Sequence, residues 1–187
     1  RILSKLFMFE KPLGMRDTLP ELYETKMYLR TEIVNEMKRW GYQMVETPTV
    51  EYYDTIGAKS AILDQQLFKL MDKQGYSLVL RPDMTAPIAR LVSSSLKQTA
   101  YPIRLGYHSN LFRAQQYDGG RPAEFEQVGA ELIGDGSVSA DAETIALLIE
   151  SLKRTGLQQF KLAIGHVGFV DALLIEIVGN KERAEVL

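Results

Sequence analysis

The fold of this 187-residue chain is decided by a stretch that reads Leu111-Phe112-Arg113, passes through Gly119-Gly120-Arg121 and ends in Glu124-Phe125-Glu126-Gln127-Val128-Gly129-Ala130-Glu131. The pattern predicts two strands joined by a short glycine-rich loop. Because side chains alternate between the two faces of a strand, one face of the second strand carries a set of mixed polarity: Phe125, Gln127, Gly129, Glu131 and Ile133.

The polar members of this set predict a notch that needs a partner. Gln127 and Glu131 flank Gly129, which leaves space between an amide and a carboxylate. Burying such groups without hydrogen bonds costs about 1–3 kcal/mol each, so a buried notch requires a polar partner or a ligand. A solvated strand face is the alternative that these residues alone leave open.

Composition limits the classes of protein to which the chain can belong. Hydrophobic residues make up 45% of the chain, enough for one sizeable core, and we expect a single domain over residues 1–187. The net charge is −2 and no long basic run occurs, which argues against general nucleic-acid binding. Cysteine is absent, and His108 and His166 are too few for a zinc cluster, so we expect no metal and no cofactor.

The same composition predicts a cytoplasmic protein that does not enter membranes. No apolar run approaches the ~20 residues that span a bilayer. The first residues do not resemble a secretory signal, because Glu10, Lys11 and Arg16 interrupt them. A chain without cysteine also suits a reducing compartment.

Hydrophobic periodicity and turn residues predict the elements of the first half. Thr18 or Asp17 is available to cap the first helix, and Gly41 to end it. The predicted elements are a helix from Pro20 to about Trp40, a strand over Tyr42–Thr47 closed by Pro48, an irregular connection over 49–65, a hairpin of Gln66–Met71 and Tyr76–Leu80, and a helix after Arg81–Thr85 that ends near Leu96.

In the second half the predicted elements are a long hairpin of Tyr101–Arg113 and Ala123–Ile133, a helix over Ser139–Arg154 ended by Gly156, a strand over Phe160–Ile164 and a helix over Val167–Val178. Hairpins predominate, which predicts an α+β fold with an antiparallel sheet flanked by helices. The usual glycine motifs of dinucleotide and P-loop sites are absent. Lys181–Leu187 is helical in pattern and stops without a cap, so we expect a front portion of a longer protein.

Three segments together resemble the catalytic core of class II aminoacyl-tRNA synthetases, specifically the histidyl-tRNA synthetase family: Arg81-Pro82-Asp83-Met84-Thr85, Phe112-Arg113, and Gln127 with Glu131. The resemblance covers nearly all of residues 10–165. It implies a class II synthetase-like fold in which the helix and strand ending at Pro48 form a homodimer through residues 20–48. It also implies that the Phe112–Glu131 hairpin holds ATP and an amino acid.

The resemblance implies roles for single residues as well. In that family histidine is bound by an acid-x-Thr element and by a glutamine and a glutamate after the hairpin loop, which match Asp83, Thr85, Gln127 and Glu131. Acidic and polar acceptors suit the ammonium group of a free amino acid. Arg113 matches the arginine that contacts the ATP α-phosphate, and Arg121 falls at a loop position that is basic in synthetases.

Other positions depart from the synthetase pattern. Gln115 replaces a glutamate that contacts adenine, Gln116 and Ala123 stand at positions that are basic in synthetases, and Asp118 adds a negative charge. Losing one charge-assisted contact to phosphate can cost about 1.5–3 kcal/mol. The pattern therefore predicts that histidine contacts are retained and that Arg113 and Arg121 are vestigial phosphate-binding residues.

The segment from Arg81 to Arg90 resembles the synthetase-like regulatory subunits of ATP phosphoribosyltransferase, since synthetases tend to have Glu-Gly in place of Asp83-Met84. This resemblance implies a non-catalytic protein of histidine biosynthesis that binds histidine for feedback control. It implies a hetero-oligomer with the short-form catalytic subunit, which the regulatory subunit activates, and no role with tRNA. Two alternatives stay open: an active histidyl-tRNA synthetase, and a binding domain with no dependence on histidine.

Several of these residues also have structural interpretations. Asp83 and Thr85 can cap the helix that follows them, which is compatible with ligand binding. Arg113 can pair with Glu124 or Glu126 across the hairpin as a surface ion pair. His108 and His166 are interpreted as structural residues, and only one of Tyr107 and His108 can face the notch.

Overall fold

The computed structural model describes residues 10–57, 62–114 and 121–179. They belong to two compact units, a larger one that ends at Gly156 and a smaller one that begins at Leu157. The prediction of a single domain stays a prediction. Among the described residues no helix is both long and apolar enough to cross a membrane.

The larger unit contains three helices and six strands in the described part of the chain. It also contains a π-helical turn over Tyr53–Gly57 and a 3-10 turn over Asp64–Gln66. The elements are α1 (Pro20–Arg39), β1 (Gln43–Met44), β2 (Val50–Tyr52), β3 (Lys69–Met71), β4 (Ser77–Leu80), α2 (Thr85–Ser95), β5 (Ile103–Phe112), β6 (Glu124–Ile133) and α3 (Val138–Arg154).

Two three-stranded sheets organise this unit. In the first, of order β1-β5-β6, β5 and β6 are antiparallel over ten residue pairs, from Ile103 opposite Ile133 to Phe112 opposite Glu124. The second, of order β2-β4-β3, is antiparallel throughout. This arrangement confirms the α+β prediction, with one difference: β1 pairs with β5 in the parallel direction.

Several predicted boundaries were wrong. The residue before α1 is Leu19, and neither Thr18 nor Asp17 caps the helix; Pro20 at the first position lacks an N–H, so fewer backbone donors need a cap. The predicted strand over Tyr42–Thr47 shrinks to β1, and β2 was missed. The predictions for Lys181–Leu187 and for positions 115–120 lie outside the described residues.

The smaller unit contains α4 (Val167–Val178) and no strand among its described residues. The predicted strand over Phe160–Ile164 is therefore wrong. Its apolar residues suit a strand, but a strand requires a hydrogen-bonded neighbour, and propensity does not supply one. His166 caps α4 by accepting a hydrogen bond from the amide of Phe169 at 3.3 Å, which gives it the structural role expected.

The first sheet is covered on both faces, and this fixes where the notch lies. Odd-numbered residues of β5 pack with α2 in one core cluster: Met84, Ile88, Val92, Ile103, Leu105, Tyr107 and Leu111. On the opposite face, Met37 of α1 and Leu147 of α3 form a second cluster with Tyr42. Gln127 and Glu131 share the face that packs against α2.

An ion pair joins α3 to the face of the first sheet that packs on α1 and α3. Arg104 on β5 donates from Nε and Nη2 to the two oxygens of Glu143 at 2.7 and 2.6 Å. The hydroxyl of Tyr42 donates to the same carboxylate at 3.1 Å. Burial, followed by the charge of Glu143, raises the pKa of Tyr42 to about 12.

Arg81 joins the two sheets just before the notch. It is 5% exposed, and its Nη1 and Nε donate to the carbonyl oxygens of Thr47 at 2.6 Å and Asn110 at 3.0 Å. Its backbone amide and carbonyl bond to Thr49 and Phe112. One side chain therefore ties the segment between β4 and α2 to β5 and to the connection between β1 and β2.

We expect Arg81→Met to lower the free energy of unfolding by about 2–4 kcal/mol, because two carbonyl oxygens lose a charged donor. Urea-induced unfolding followed by circular dichroism measures the change. Lys97→Met is the matched control, since it removes the same charge from an exposed position. Equal unfolding free energies for the two variants would contradict the role given to Arg81.

Candidate functional site

The structure brings the four predicted ligand-binding residues to one place. Asp83 and Thr85 stand at the start of α2, and Gln127 and Glu131 lie on the face of β6 that packs toward this helix. The hydroxyl of Thr85 donates to Oε1 of Glu131 at 2.9 Å, which links the two elements directly. We call these four residues and Tyr107 the notch.

Tyr107 is a member of the notch that the sequence did not identify. It is 3% exposed, and its hydroxyl accepts a hydrogen bond from Nε2 of Gln127 at 2.7 Å. Strand alternation indicated that only one of Tyr107 and His108 could face the notch, and the structure selects Tyr107. Strand alternation showed that the two side chains lie on opposite faces of β5, but it does not show which face of β5 lies beside Gln127 and Glu131.

Position 129 must be glycine because the Tyr107 ring lies across its backbone. The two residues are directly opposite in the β5–β6 ladder. A Cβ atom at position 129 would collide with the hydroxyl and ring carbons of Tyr107. The absence of a side chain therefore lets the ring lie across the strand and reach Gln127, two residues away on β6.

The notch accumulates negative charge in a partly desolvated place. Burial raises the pKa of Glu131, and the charge of Asp83 raises it further, while the hydrogen bond from Thr85 acts in the opposite direction. Burial also raises the pKa of Tyr107, with contributions from Glu131 and Asp83. A cation in the notch would stabilise the ionised carboxylates.

Asp83 has the structural role that was anticipated as well. Its Oδ1 accepts a hydrogen bond from the backbone amide of Ala86 at 3.2 Å, in the first turn of α2. A carboxylate has two oxygens and about four acceptor sites, so this bond is compatible with a second contact to a ligand. The cap fixes where the carboxylate stands relative to Thr85.

Arg113 is oriented by the segment that carries the notch. Its Nε donates to the carbonyl oxygen of Pro82 at 2.8 Å, and its guanidinium lies 5.3 Å from the centre of the Phe125 ring. The ion pairs with Glu124 and Glu126 that the sequence allowed are not formed: Glu124 accepts from Asn110, and Glu126 pairs with Lys26 and Arg30. Arg121 is exposed.

Ala123 is buried at 2% exposure where synthetases have a basic residue. Its amide donates to the carbonyl oxygen of Gly14 at 2.8 Å, and its carbonyl accepts from the amide of Arg113 at 2.8 Å. Gly14 has a φ of +78°, and a Cβ there would meet Ala123 within 3 Å. The segment before α1 therefore closes over Ala123, and a long side chain at position 123 would require that segment to move.

His108 lies on the opposite face and is structural. Its ring contacts Glu126 of β6 and Arg30 of α1. Burial acts to raise the pKa of Glu126, but hydrogen bonds from Lys26 and His108 outweigh it and lower that pKa. Lys26, Arg30 and Glu126 border a cleft of about 600 Å³ between α1 and the hairpin.

Comparison with known proteins gives matches over most of the chain. A family model described as histidyl-tRNA synthetase matches residues 14–187. A curated protein of Halalkalibacterium halodurans named ATP phosphoribosyltransferase regulatory subunit is 67% identical over 99% of this chain and 47% of its own length. The chain thus spans about half the length of that relative.

Solved structures, including the two that follow, also resemble the fold. The crystal structure of an ATP phosphoribosyltransferase regulatory subunit/histidyl-tRNA synthetase from Bacillus halodurans superposes with a TM-score of 0.86 and 67% identity, over 95% of this chain and 46% of the other. A histidine–tRNA ligase subunit from Alicyclobacillus acidocaldarius gives a TM-score of 0.75 and 28% identity, over 95% and 51%.

The raised pKa of Glu131 predicts a stability change of definite sign. Above this pKa the ionised carboxylate destabilises the folded state, and below the ordinary glutamate pKa of about 4.3 the penalty is absent. We expect Glu131→Gln to raise Tm at neutral pH. The gain should disappear below the ordinary glutamate pKa of about 4.3. Thermal unfolding without ligand, followed by circular dichroism, measures both.

Glu143 is the matched control, because a hydrogen bond from Arg104 is the main cause that lowers its pKa. Its stabilising effect is present above the ordinary glutamate pKa and is lost as pH falls through the lowered one. Glu143→Gln should therefore lower Tm at neutral pH. A drop in Tm for both variants would contradict the prediction that ionised Glu131 destabilises the unliganded protein.

Proposed function

The chain belongs to the histidyl-tRNA synthetase family, and we propose that it acts as a non-catalytic regulatory subunit of ATP phosphoribosyltransferase that binds histidine. Relatives that bear this regulatory name agree with the resemblance seen in the sequence. The class II synthetase-like fold is likewise confirmed by the solved neighbours. The observation that carries the proposal is the notch: its acids are assembled, while a buried alanine occupies a position that is basic in synthetases.

The amino-acid half of the proposal rests on charge. A free amino acid brings an ammonium group, and the notch offers carboxylates at Asp83 and Glu131 with polar groups at Thr85 and Gln127. Each charge-assisted hydrogen bond contributes about 1.5–3 kcal/mol. The raised pKa of Glu131 supports a cationic ligand, since binding one removes the electrostatic cost of ionising that carboxyl.

The lack of ATP activation rests on the other end of the hairpin. Ala123 is buried and donates its amide to the Gly14 carbonyl, and Nε of Arg113 donates to the Pro82 carbonyl. A triphosphate requires several convergent cations, and one arginine does not provide them. The joining of ATP to phosphoribosyl pyrophosphate is then the work of the partner, a short-form catalytic subunit, within histidine biosynthesis.

Feedback control requires that histidine binds one state of the assembly more tightly than another. We place the assembly in the cytoplasm, where the pathway end product accumulates. Homodimerisation through residues 20–48 is part of the proposal and is supported by apolar side chains that α1 exposes: Leu22, Tyr23, Tyr28 and Leu29.

An active histidyl-tRNA synthetase is the alternative function. It is favoured by the retained Arg113 and by the 28% identity to a histidine–tRNA ligase subunit. The buried Ala123 and the much higher identity to regulatory subunits argue for the first function.

Titration calorimetry of the whole protein should detect binding of free histidine. We expect Glu131→Ala to weaken it roughly 10- to 100-fold, because one charge-assisted contact is lost. Glu150→Ala on α3, whose carboxylate pairs with Lys153, is the matched control and should bind like the wild type. Failure of the wild-type protein to bind would favour a domain with no dependence on histidine.

A second measurement addresses regulation. Mixed with the short-form catalytic subunit, the whole protein should raise the transferase rate and make it sensitive to histidine. Glu131→Ala should abolish the sensitivity at histidine concentrations that inhibit the wild-type complex, whereas Glu150→Ala should retain it. Histidine-dependent ATP–pyrophosphate exchange by the protein alone would instead support the synthetase alternative.

A further inference from the structure

We propose that Tyr107 is a positioning residue that sets the orientation of the Gln127 amide, so that the amide oxygen faces the ligand's ammonium group. This inference rests on the proposed binding of histidine. It concerns a side chain that does not itself need to touch the ligand.

The geometry of the pair supports this role. The Tyr107 ring is held by the core on one side and by the backbone of Gly129 on the other, and its hydroxyl lies 2.7 Å from Nε2 of Gln127. Because the amide nitrogen donates to the phenol, the amide oxygen is at the other end of the group. An ammonium ion needs an acceptor, so this is the orientation that binds it.

The phenol is suited to accept this bond because the carboxylates of Glu131 and Asp83 act on its hydroxyl and favour a proton that points toward them, which leaves the oxygen lone pairs for the amide. Burial and the charges of Glu131 and Asp83 raise the pKa of Tyr107, so the hydroxyl is protonated at neutral pH. Without the hydroxyl, the amide can rotate by 180° and present its NH₂ group to the cation. A glutamine that samples both orientations binds an ammonium group more weakly than one held in place.

The test uses histidine affinity of the whole protein in a double-mutant cycle. Tyr107→Phe should weaken binding about 3- to 10-fold, the range for one hydrogen bond. In the Gln127→Glu background the same change should not weaken binding, because the two oxygens of a carboxylate are equivalent and the phenol that is removed would only compete with the ligand for them. A Tyr107 that only supported the fold would weaken binding equally in both backgrounds.

Tyr42→Phe is the matched control, since it also removes a buried, hydrogen-bonded tyrosine hydroxyl, but on the other face of the sheet. It should lower Tm and leave histidine affinity unchanged. Wild-type affinity in Tyr107→Phe, or equal losses in the two backgrounds, would overturn the inference while leaving histidine binding intact. Absence of binding in the wild type would overturn the proposed function together with it.

Gly129→Ala provides an independent variant. The added methyl group collides with the Tyr107 ring, so it should weaken histidine binding at least as much as Tyr107→Phe. Thermal unfolding of each variant verifies that it is folded. Retained wild-type affinity in a folded Gly129→Ala protein would also contradict the inference.

Discussion

The antiparallel pairing of β5 and β6 over ten residue pairs fixes which side chains lie on each face of the first sheet. One face carries the apolar cluster shared with α2 and, within it, the notch. The other face packs on α1 and α3 and carries the charges around Glu126. Because the side-chain period of a strand is two, a slip of one residue would exchange these surfaces. The register of Tyr107 opposite Gly129 is therefore the constraint on which the site depends.

The notch is the part of the sheet where carboxylates are held at a cost in stability. Glu131 is held where ionisation is unfavourable, and Asp83 lies close enough to add to the effect. On the opposite face of the same sheet, Glu143 of α3 accepts two hydrogen bonds from Arg104 of β5 and stabilises the fold. A glutamate on the sheet and a glutamate of the helix packed against it thus act in opposite directions, and only the destabilising one, Glu131, faces the place where a cationic ligand is proposed to bind.

Much of the fold followed from local chemistry. The glycines at Gly41 and Gly156, the turn before Tyr76 and the alternation along β6 all predicted elements that the structure contains. The strand that was missed and the strand that was wrongly predicted share one cause. Strand Val50–Tyr52 exists, and a strand over Phe160–Ile164 does not, because a strand is defined by its hydrogen-bonded neighbours, which propensity does not reveal.

For the site, the sequence by itself determined which groups share the β6 face and, through the family resemblance, that Asp83, Thr85, Gln127 and Glu131 belong together. It also determined that Ala123 departs from the synthetase pattern. Only the tertiary structure decided that Tyr107, and not His108, enters the notch, and that Gly14 closes over Ala123. These contacts join residues far apart in the chain, so they depend on how helices and strands pack rather than on the spacing of residues along the sequence.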